Sequence, residues 1–590
     1  MVYSGARILI ETLIEQGVDT VFGFPGGAVL FIYDELFKHR DRIRHILVSH
    51  EQHAAHAADG YARSTGKVGV CIATSGPGAT NLVTGIATAA MDSVPLVAIT
   101  GNVTVPLLGK DSFQEVDIAG ITMPIVKHNW IVKDVKELAE VIREAFIVAR
   151  TARPGPVLID IPKDVTAALG EWIPLEDSGR KGRVKKWALS SLPAASDHAE
   201  ASGAAGARAR RLLERVRGAT YTEEDLNRAV RLLGGARRPV LYAGGGVIIS
   251  DASGELTQLA ERLNAPVALS LMGIGAIPRE HRLCTGLIGM HGTVASNKAV
   301  QKADLLVAIG ARFSDRVTSR TDKFAKGAKI LHLDIDPAEI NKNIRTEAWV
   351  VGDIKDIIQK LLKKLPAAME TGWNGDIEKW KTHVPAAHHR KTKLHPRFII
   401  EETARGLGYD ALVATDVGQH QMWTAQFFPF SKPRSFLTSG GLGTMGFGLG
   451  AILGAKIANP KRPAALFTGD GSFRMNCAEM ATLTAYGIPL LILIFNNRTL
   501  GMVRQWQTLF YEERYAETTL DRPPDFVKLA EAYGLSGYRA DTEDTFRAVL
   551  DRALRELAQG KAALIDAHID QDEKVLPMVP GGKPIDEQIL

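Results

Sequence analysis

The stretch "AALFTGDGSFRMNCAEMATLTAYGIPLLILIFNN", residues 464–497, decides the fold class of this chain. "AALFTGDG" has the apolar run and glycine turn of a buried strand, "SFRMNCAEMATLTAYG" predicts a helix, and "LLILIFNN" predicts a second strand. Two strands joined by a crossover helix form a parallel unit. Their carboxyl ends meet at one edge of the sheet, so we expect Asp470 and Asn497 together where open α/β sheets bind ligands.

The residue types at this edge indicate the chemistry. Asp470 supplies a carboxylate oxygen and Asn497 an amide oxygen, and both suit Mg²⁺. Glycines on either side of Asp470 permit a tight turn, and a helix beginning at Ser472 offers free N–H groups to a phosphate. The pattern predicts a divalent metal that bridges the protein to a bound diphosphate. A "GDG" turn alone is common turn chemistry, so two unrelated loop tips are the alternative.

The same alternation of strands and helices recurs in three blocks along the chain. We therefore predict an α/β protein with three doubly wound parallel-sheet domains. The predicted domains are 1–165, 222–365 and 395–590, with linkers at 166–221 and 366–394. The first linker is rich in Ala, Gly, Ser and Arg, and its basic part, residues 178–220, is interpreted as a solvated connector or as a docking surface for a partner or anion.

Composition excludes several classes of protein. The chain has 590 residues and a formal net charge of +5, which is weak for a nucleic-acid binder of this length. Its apolar runs are shorter than the roughly 20 residues that cross a bilayer. Three widely spaced cysteines indicate a reducing compartment rather than a zinc ribbon. No leader-like segment precedes the first predicted helix. We expect a soluble, cytoplasmic protein.

A second candidate site lies in "SHEQHAAHAADG", where Glu51 marks the junction between a strand and a helix. A Glu here also simply favours a helix N-terminus. The zinc-protease motif HExxH is excluded, since position 54 is Ala. Histidines at 50, 53 and 56 recur every third residue, which permits a metal-binding face, although histidines on a helix surface are commoner.

Taken together, the motifs resemble those of one family. The "GDG" and "NN" motifs are typical of thiamine diphosphate enzymes, and nearly the whole chain resembles the catalytic subunit of acetohydroxyacid synthase, also called acetolactate synthase. The stretches that carry the resemblance include "FGFPGGAVL", "SHEQHAAHAADGYARSTGKVGVCIATSGPGATNL", "DSFQEVDI", "IGMHGTVA", "ARFSDRVT", "LDIDPAEINKN", "TDVGQHQMW", "SGGLGTMGFGLGAI" and "LGMVRQWQ".

The resemblance implies how thiamine diphosphate and Mg²⁺ are held. Asp470, Asn497 and the main-chain carbonyl of Thr499 are the implied metal ligands. Glu51 is implied to hydrogen-bond the pyrimidine ring and to start its activation, and an alanine-rich helix supplies apolar surroundings. The other implied contacts to thiamine diphosphate are Gln419, His420, Gly443, Met445, Gly471, Ser472, Asn497 and Met502. His420 has an alternative as a satisfied histidine at a strand end, and Met445 as core filler.

The middle block carries a second nucleotide signal. The glycines of "YAGGG" permit close approach to a phosphate, and Asp334 is a candidate partner for a ribose or adenine, although such glycine turns often bind nothing. The resemblance implies an FAD that is required but not redox-active in the net reaction. The implied contacts are Arg153, Gly245, Gly246, Leu271, Met290, His291, Gly310, Arg312, Asp334, Ile335 and Asp353.

The implied reaction is a transferase reaction. The family decarboxylates pyruvate and ligates the hydroxyethyl group to pyruvate or 2-oxobutyrate, on the route to valine, leucine and isoleucine. The implied reaction-side residues are Gly27, Gln114 and Lys127, besides Glu51. The implied substrate residues are Phe113, Arg316 and Trp506. Arg316 suits a carboxylate and Trp506 a short alkyl group, with an exposed ion pair and a packed aromatic as their alternatives.

Three alternative functions stay open. One is a flavin-dependent pyruvate oxidase, and a second is another thiamine diphosphate decarboxylase or carboligase; Glu51 argues against glyoxylate carboligase, whose family lacks that acid. The third is a non-catalytic paralogue, which is disfavoured because Glu51, Asp470 and Asn497 are all present. The resemblance further implies a homodimer or homotetramer with active sites at subunit interfaces, and a separate small regulatory subunit.

Overall fold

The computed structural model describes residues 1–174, 221–369, 371, 373–382, 394–522 and 524–590. Within these residues, twenty strands form three six-stranded parallel sheets and one antiparallel pair. The strands are β1 Val2–Ser4, β2 Thr20–Phe24, β3 Arg44–Leu47, β4 Gly69–Ala73, β5 Leu96–Asn102, β6 Asn129–Ile131, β7 Pro156–Pro162, β8 Leu169–Glu171, β9 Pro239–Ala243, β10 Val267–Leu269, β11 Cys284–Leu287, β12 Leu305–Ile309, β13 Lys329–Asp334, β14 Ala348–Val351, β15 Leu412–Thr415, β16 Phe436–Leu437, β17 Ala464–Gly469, β18 Leu491–Asn496, β19 Ser536–Ala540 and β20 Ala563–His568.

The three sheets share one winding rule. Their strand orders are β3-β2-β4-β5-β7-β6, β11-β10-β9-β12-β13-β14 and β16-β15-β17-β18-β20-β19. In each, the chain first winds to one side of a central strand and then returns to its other side. The reversal opens a crevice between β2 and β4, between β9 and β12, and between β15 and β17, which is where doubly wound sheets bind ligands. The predicted fold class of three doubly wound parallel sheets is confirmed.

Helices cover both faces of the sheets, so central strands such as β18 are buried throughout and read as continuous apolar runs. The α-helices of four or more residues are Gly5–Glu15, Leu30–Lys38, Glu51–Thr65, Pro77–Asn81, Val83–Met91, Ile118–Thr122, Leu138–Arg150, Lys163–Ala167, Glu223–Gly235, Gly245–Ile249, Ser253–Leu263, Val294–Lys302, Asp315–Thr318, Ile354–Lys364, Asn374–Lys381, Pro396–Leu407, Gln419–Phe427, Gly448–Ala458, Asp470–Phe473, Met480–Tyr486, Gly501–Phe510, Phe526–Ala532 and Glu543–Ala558. None of the described helices is long and apolar enough to cross a membrane.

The described chain divides into two compact units. One contains the first sheet together with two later segments, 441–460 and 476–486. The other contains the second and third sheets and the C-terminal residues to Leu590. Both later segments of the first unit fall inside the predicted 395–590 domain, so that part of the sequence contributes to both units.

Glycines explain why helix Gly448–Ala458 packs in the first unit. A Cβ built on Gly454 would lie 1.8 Å from the carbonyl oxygen of Ala57, and one on Gly60 would lie 1.9 Å from that of Ala451. Helices Gly448–Ala458 and Glu51–Thr65 therefore touch backbone to backbone, which larger side chains would prevent. This contact joins Ala57 and Gly454, which lie almost 400 positions apart in different sequence blocks. No local sequence pattern predicts it.

Three local expectations differ from the structure. The predicted helix after the "GDG" turn is broken, because Asn476 leaves helical geometry at φ −132° and a 3-10 turn, Cys477–Glu479, follows before Met480–Tyr486. Within the predicted first linker, β8 pairs antiparallel with β1. Within the second, helix Asn374–Lys381 buries Ile377 in an apolar cluster. The basic segment 178–220 lies outside the described residues.

Candidate active site

Asp470 and Asn497 lie at the same edge of the third sheet. β17 and β18 are parallel neighbours, with Gly469 opposite Phe495. Asp470 directly follows β17 and Asn497 directly follows β18, and both are buried. The predicted placement of this pair at one sheet edge is confirmed.

Asp470 is a buried acid whose charge is incompletely satisfied. Its side chain is almost fully buried, and Oδ2 has no hydrogen-bond partner among the described residues. Burial raises the pKa of Asp470 to about 7, and the nearby carboxylate of Asp566 acts in the same direction. A bound cation would supply the missing partner, so Asp470 with Asn497 and Thr499 beside it fits a divalent metal.

A network of amides organises the same edge. Asn497 Nδ2 donates to Gln419 Oε1 over 3.2 Å, and Gln419 Nε2 donates to Gln505 Oε1 over 3.0 Å. Gln419 Nε2 also donates to the carbonyl of Glu573 over 2.7 Å. Gln419 begins the helix that follows β15, so this network crosses the crevice of the third sheet. Sequence reasoning missed Gln505, although it falls within the quoted "LGMVRQWQ".

The turns around this edge of the third sheet need glycine for space. A Cβ on Gly501 would lie 2.0 Å from Gln419 Oε1, and one on Gly471 would lie 2.7 Å from Leu500. His420 lies against Gly469 on the β15 side of the crevice. Burial lowers the pKa of His420 to about 3, so its ring is neutral at physiological pH. Ser472, also predicted here, donates its hydroxyl to the carbonyl of Val417.

Glu51 occupies the first unit. It is the first residue of helix Glu51–Thr65 and is 9% exposed. Asn81 Nδ2 donates to Glu51 Oε2 over 2.9 Å, and a Cβ on Gly78 would lie 3.2 Å from Glu51 Oε1. Asn81 and Gly78 belong to the short helix Pro77–Asn81 that follows β4, so Glu51 faces the crevice of the first sheet. Sequence reasoning missed Asn81, although it falls within the quoted "SGPGATNL".

The other predicted residues of the first sheet are spread around its carboxyl edge. Gly27 is exposed after β2, and the backbone of Gln114 packs against Gly76 after β4. Phe113 is 89% exposed. Lys127 lies elsewhere: its Nζ donates to the carbonyls of Val148 and Thr151 at the end of helix Leu138–Arg150. The structure therefore places Lys127 at a helix terminus.

Gly443 and Met445 lie in the first unit with Glu51, in the loop that precedes helix Gly448–Ala458. Asp92 Oδ1 accepts a hydrogen bond from Gly441 N over 2.7 Å, and the hydroxyls of Thr88 and Thr444 are 2.8 Å apart. Gly443 has φ +76°, which glycine adopts without strain. These hydrogen bonds anchor the loop at Gly441 and at Thr444.

The histidine expectation needs a correction. His53 and His56 are buried, at 4% and 0% exposure, so the surface reading is wrong for both. His56 packs against the ring of Phe447 and His53 bonds to Glu479, because helix Gly448–Ala458 and the segment 476–486 cover this face. Among the described residues, no group of three or more metal-ligating side chains is arranged to hold an ion. The metal-face alternative is therefore unsupported there.

The second sheet carries the predicted flavin contacts at its crevice. Gly246 N donates to the carbonyl of Gly310 over 2.9 Å, and a Cβ on Gly246 would lie 2.6 Å from the Cα of Gly310. Two glycine turns thus pack backbone to backbone at the ends of β9 and β12, at the sheet edge where doubly wound folds bind nucleotides. Asp334 ends β13 at the same edge. Ile335 and Arg312 follow β13 and β12, and Leu271 opens the turn after β10.

Three predicted flavin contacts have structural partners of their own. Asp353 caps helix Ile354–Lys364 and accepts from Ser250 Oγ over 2.6 Å. His291 Nδ1 lies 3.3 Å from the carbonyl of Pro577, and burial lowers its pKa to about 4. Arg153 lies in the other unit, where Nε donates to Ser93 Oγ over 2.8 Å.

The predicted substrate residues of the second unit are exposed or half-buried. Arg316 Nη1 lies 3.8 Å from Met290 Sδ, and its Nε lies 3.7 Å from the carboxylate of Asp315. The exposed ion pair considered for Arg316 is therefore present. Trp506 packs on Phe510 with ring centroids 5.2 Å apart. Met502, on the same helix as Trp506, packs against the core of the third sheet.

Comparisons with known proteins agree with this architecture. Three family models of thiamine pyrophosphate (diphosphate) enzymes match the chain: the N-terminal TPP binding domain over residues 3–121, the central domain over 226–361 and the C-terminal TPP binding domain over 416–567. Each matched range contains one of the three sheets or most of it.

Curated relatives match over nearly their full length. An acetolactate synthase of Mycobacterium bovis is 45% identical over 99% of this chain and 91% of its own. The acetolactate synthase large subunit of Buchnera aphidicola is 42% identical over 100% and 99%. A probable acetolactate synthase large subunit of Methanocaldococcus jannaschii is 46% identical over 98% and 94%. The chain therefore belongs to the thiamine diphosphate-dependent acetolactate synthase family and corresponds to its large subunits.

Proposed function

We propose that this acetolactate synthase holds thiamine diphosphate through Mg²⁺ at the edge of the third sheet and carries FAD at the edge of the second. Its products would be 2-acetolactate from two pyruvates and 2-aceto-2-hydroxybutyrate from pyruvate and 2-oxobutyrate. The carrying observation is Asp470: a buried carboxylate with an unpartnered oxygen, placed beside Asn497 at a sheet crevice. Such a group is stable when a cation completes it.

Asp470, Asn497 and the carbonyl of Thr499 would hold the metal. Gln419 keeps Asn497 oriented by accepting from its Nδ2, so that Oδ1 is left for other partners. The hydrogen bond from Thr499 N to Asn497 Oδ1, 3.3 Å long, restrains that oxygen. His420, Gly471 and Ser472 border the same crevice and would contact the diphosphate, with Met502 nearby. When bound, thiamine diphosphate supplies a carbanion that cleaves the bond between the carbonyl and carboxyl carbons of a 2-oxo acid.

Glu51 would hold a proton against the pyrimidine ring. Asn81 donates to Oε2, which leaves Oε1 as the oxygen free to carry or share that proton. Burial at the end of an alanine-rich helix keeps water away from the carboxyl group. Gly443 and Met445 lie in an anchored loop of the same unit and would contact the same ring.

FAD would occupy the crevice of the second sheet. The glycine turns after β9 and β12 border that crevice and would face its diphosphate, and Asp334 would receive a ribose hydroxyl. Met290 and His291 border the C-terminal tail and would contact the flavin from the loop after β11. The remaining contacts proposed for FAD are Arg153, Leu271, Arg312, Ile335 and Asp353.

The acceptor 2-oxo acid would be selected by a cation and aromatic side chains. Arg316 is exposed, and its 3.7 Å contact to the exposed Asp315 is worth little, so its guanidinium can turn to a carboxylate. Trp506, together with Phe113 from the facing subunit, would line the space for the alkyl group. Gly27 and Gln114 flank the first-sheet crevice. Lys127 is proposed on the resemblance alone, since its ammonium binds helix carbonyls.

We propose a homodimer or homotetramer in which Glu51 of one subunit and Asp470 of another complete each site. Relatives named as large subunits support a separate small regulatory subunit as a further partner. Nucleic acid and membrane are not among the proposed partners. The three cysteines are free, which agrees with the reducing conditions of the cytoplasm, where we place the enzyme.

Product analysis tests this function directly. Purified protein is stripped of metal with a chelator, then supplied with pyruvate, thiamine diphosphate and FAD, with and without Mg²⁺. We expect acetolactate only when Mg²⁺ is restored, and 2-aceto-2-hydroxybutyrate when 2-oxobutyrate is added. Acetaldehyde as the main product would contradict the ligase function, and hydrogen peroxide would favour the flavin-dependent pyruvate oxidase.

A further inference from the structure

Glu479 is a buried carboxylate that belongs to none of the proposed cofactor or substrate sites. It lies in the connection between β17 and β18 and is fully buried, at 0% exposure. It groups with the first unit, not with the sheet whose strands flank it in sequence. An acid removed from water this completely is costly unless its oxygens are fully hydrogen-bonded.

Four donors converge on this carboxylate. Oε1 accepts from Ser49 N over 2.9 Å and from His50 N over 3.2 Å, and His53 Nδ1 lies 2.9 Å from the same oxygen. Oε2 accepts from the Thr482 hydroxyl over 2.8 Å. An ionised carboxylate only accepts, so His53 Nδ1 carries a hydrogen in this arrangement. Glu479 is therefore satisfied as an anion without Lys or Arg.

The donors surround one short piece of chain. Ser49 and His50 are the two residues immediately before Glu51, and His53 lies in the first turn of its helix. Two more hydrogen bonds hold the residues that precede this helix. Ser49 Oγ donates to the carbonyl of Ala478 over 2.9 Å, and Leu47 N donates to the Tyr486 hydroxyl over 2.8 Å. We call residues 478–486 the clasp.

We propose that Glu479 is a positioning residue for Glu51: through the clasp it fixes the start of helix Glu51–Thr65, and thereby the direction in which the Glu51 carboxyl points. The negative charge of Glu479 also lies at the helix N-terminus, where it is favourable. Ser49 and His50 are exposed, so without Glu479 water would compete for their N–H groups and the turn would loosen. The inference rests on the proposed role of Glu51.

The measurement is the rate at which the C2 proton of bound thiamine diphosphate exchanges with deuterium, followed by quenched NMR. Displacing a reacting group by about 1 Å can cost about 100-fold. We expect Glu479→Ala to slow exchange about 10- to 100-fold, and Glu479→Gln, which keeps an accepting oxygen for Ser49 and His50, to recover most of that loss. Thermal unfolding of each holoenzyme is measured beside it.

A double-mutant cycle separates positioning from general support of the fold. In a Glu51→Gln background, Glu479→Ala should slow exchange no further, since groups that act in series are not additive. Asp160→Asn is the matched control: Asp160 is a buried acid of the same unit that accepts from Thr100 and Asn102 and makes none of the clasp bonds. It should change the unfolding temperature without slowing exchange.

The outcomes distinguish the two proposals. If Glu51→Gln leaves exchange unchanged, the proposed role of Glu51 fails. If Glu51→Gln slows exchange but Glu479→Ala does not, or if the two losses multiply, only the positioning role of Glu479 is overturned. Should Glu479→Ala fail to fold, Glu479→Gln can replace it in both backgrounds of the cycle. The loss of charge alone is expected to slow exchange a few-fold in the enzyme that retains Glu51. It should not slow exchange further in the Glu51→Gln background.

Discussion

Asn497 and Gln419 are joined by a hydrogen bond of 3.2 Å from Nδ2 to Oε1, across the crevice of the third sheet. Gln419 begins the helix that follows β15, whereas Asn497 lies in the loop after β18. The bond assigns the two ends of the Asn497 amide, because a nitrogen that donates to Gln419 leaves the oxygen for another partner. Gln419 therefore orients the Asn497 amide toward the proposed metal site.

Replacing Gln419 by Ala should weaken binding of thiamine diphosphate with Mg²⁺ about 10- to 100-fold, the usual cost of losing a partner that orients a metal ligand. The apoenzyme is first stripped of metal and cofactor. Calorimetric titration with thiamine diphosphate at a fixed Mg²⁺ concentration then measures this affinity. Gln421→Ala on the same helix is the control, since Gln421 donates to Thr438 and Ser439 instead. Equal losses in both variants would contradict a specific role for Gln419.

Gly246→Ala should yield protein with little bound flavin. The new methyl group would lie 2.6 Å from the Cα of Gly310, so the turns after β9 and β12 would have to separate. Flavin absorbance per protein, recorded after purification and again after titration with FAD, measures the effect. Gly254→Ala is the control, because a Cβ there meets no atom within 4 Å, and it should keep normal flavin. A flavin-replete Gly246→Ala protein would argue against FAD in this crevice.

Arg63→Met should strongly destabilise the first unit. The Arg63 side chain is 9% exposed and donates to the buried carboxylates of Asp59 over 2.5 Å and Asp92 over 2.9 Å, so its loss removes the cation that these two acids share. Breaking such a pair costs about 3–5 kcal/mol in the free energy of unfolding. Thermal and denaturant unfolding measure it.

An exposed pair of the same unit provides the contrast for Arg63. Lys67 and Asp19 lie 2.8 Å apart with each side chain 53% exposed. Lys67→Met should cost no more than about 1 kcal/mol. Similar losses in the two variants would mean that burial of the Arg63 network contributes nothing. The loop that carries Gly443 should also loosen in Arg63→Met, since Asp92 holds Gly441.

Asp160 should make stability depend on pH. Burial raises its pKa to about 6 in the folded protein, against about 3.9 in an unfolded chain. The folded state therefore holds the proton more tightly than the unfolded chain. The contribution of Asp160 to the free energy of unfolding is thus greatest below about pH 4 and falls as pH rises to about 6. The loss approaches roughly 3 kcal/mol for a shift of two units.

Asp160→Asn should remove that pH dependence. Asparagine cannot ionise, although its amide nitrogen cannot accept from Asn102 as the carboxylate does over 2.6 Å. Unfolding midpoints of both proteins, measured from about pH 4 to pH 7, give the comparison. The wild-type curve should decline relative to the variant over that range, and parallel curves would exclude Asp160 as the titrating group.

Local sequence patterns were sufficient for much of this protein. The strand–helix–strand order predicted parallel sheets, and the rule that parallel strands end on one edge predicted that Asp470 lies beside Asn497. Residue chemistry and resemblance then indicated thiamine diphosphate. These inferences succeeded because each depends on neighbours in sequence: strand periodicity, a glycine turn, a residue at a strand end.

Only the tertiary structure decided the partners that come from distant parts of the chain. The sequence did not reveal that Gly454 packs on Ala57, that Asn81 binds Glu51, or that Glu479 binds Ser49 and His50. Small residues and single polar groups have no periodicity, and their burial depends on which helix comes to cover them. The chain by itself determined which chemical groups stand at the sheet edges, whereas packing between remote segments decided how those groups are held.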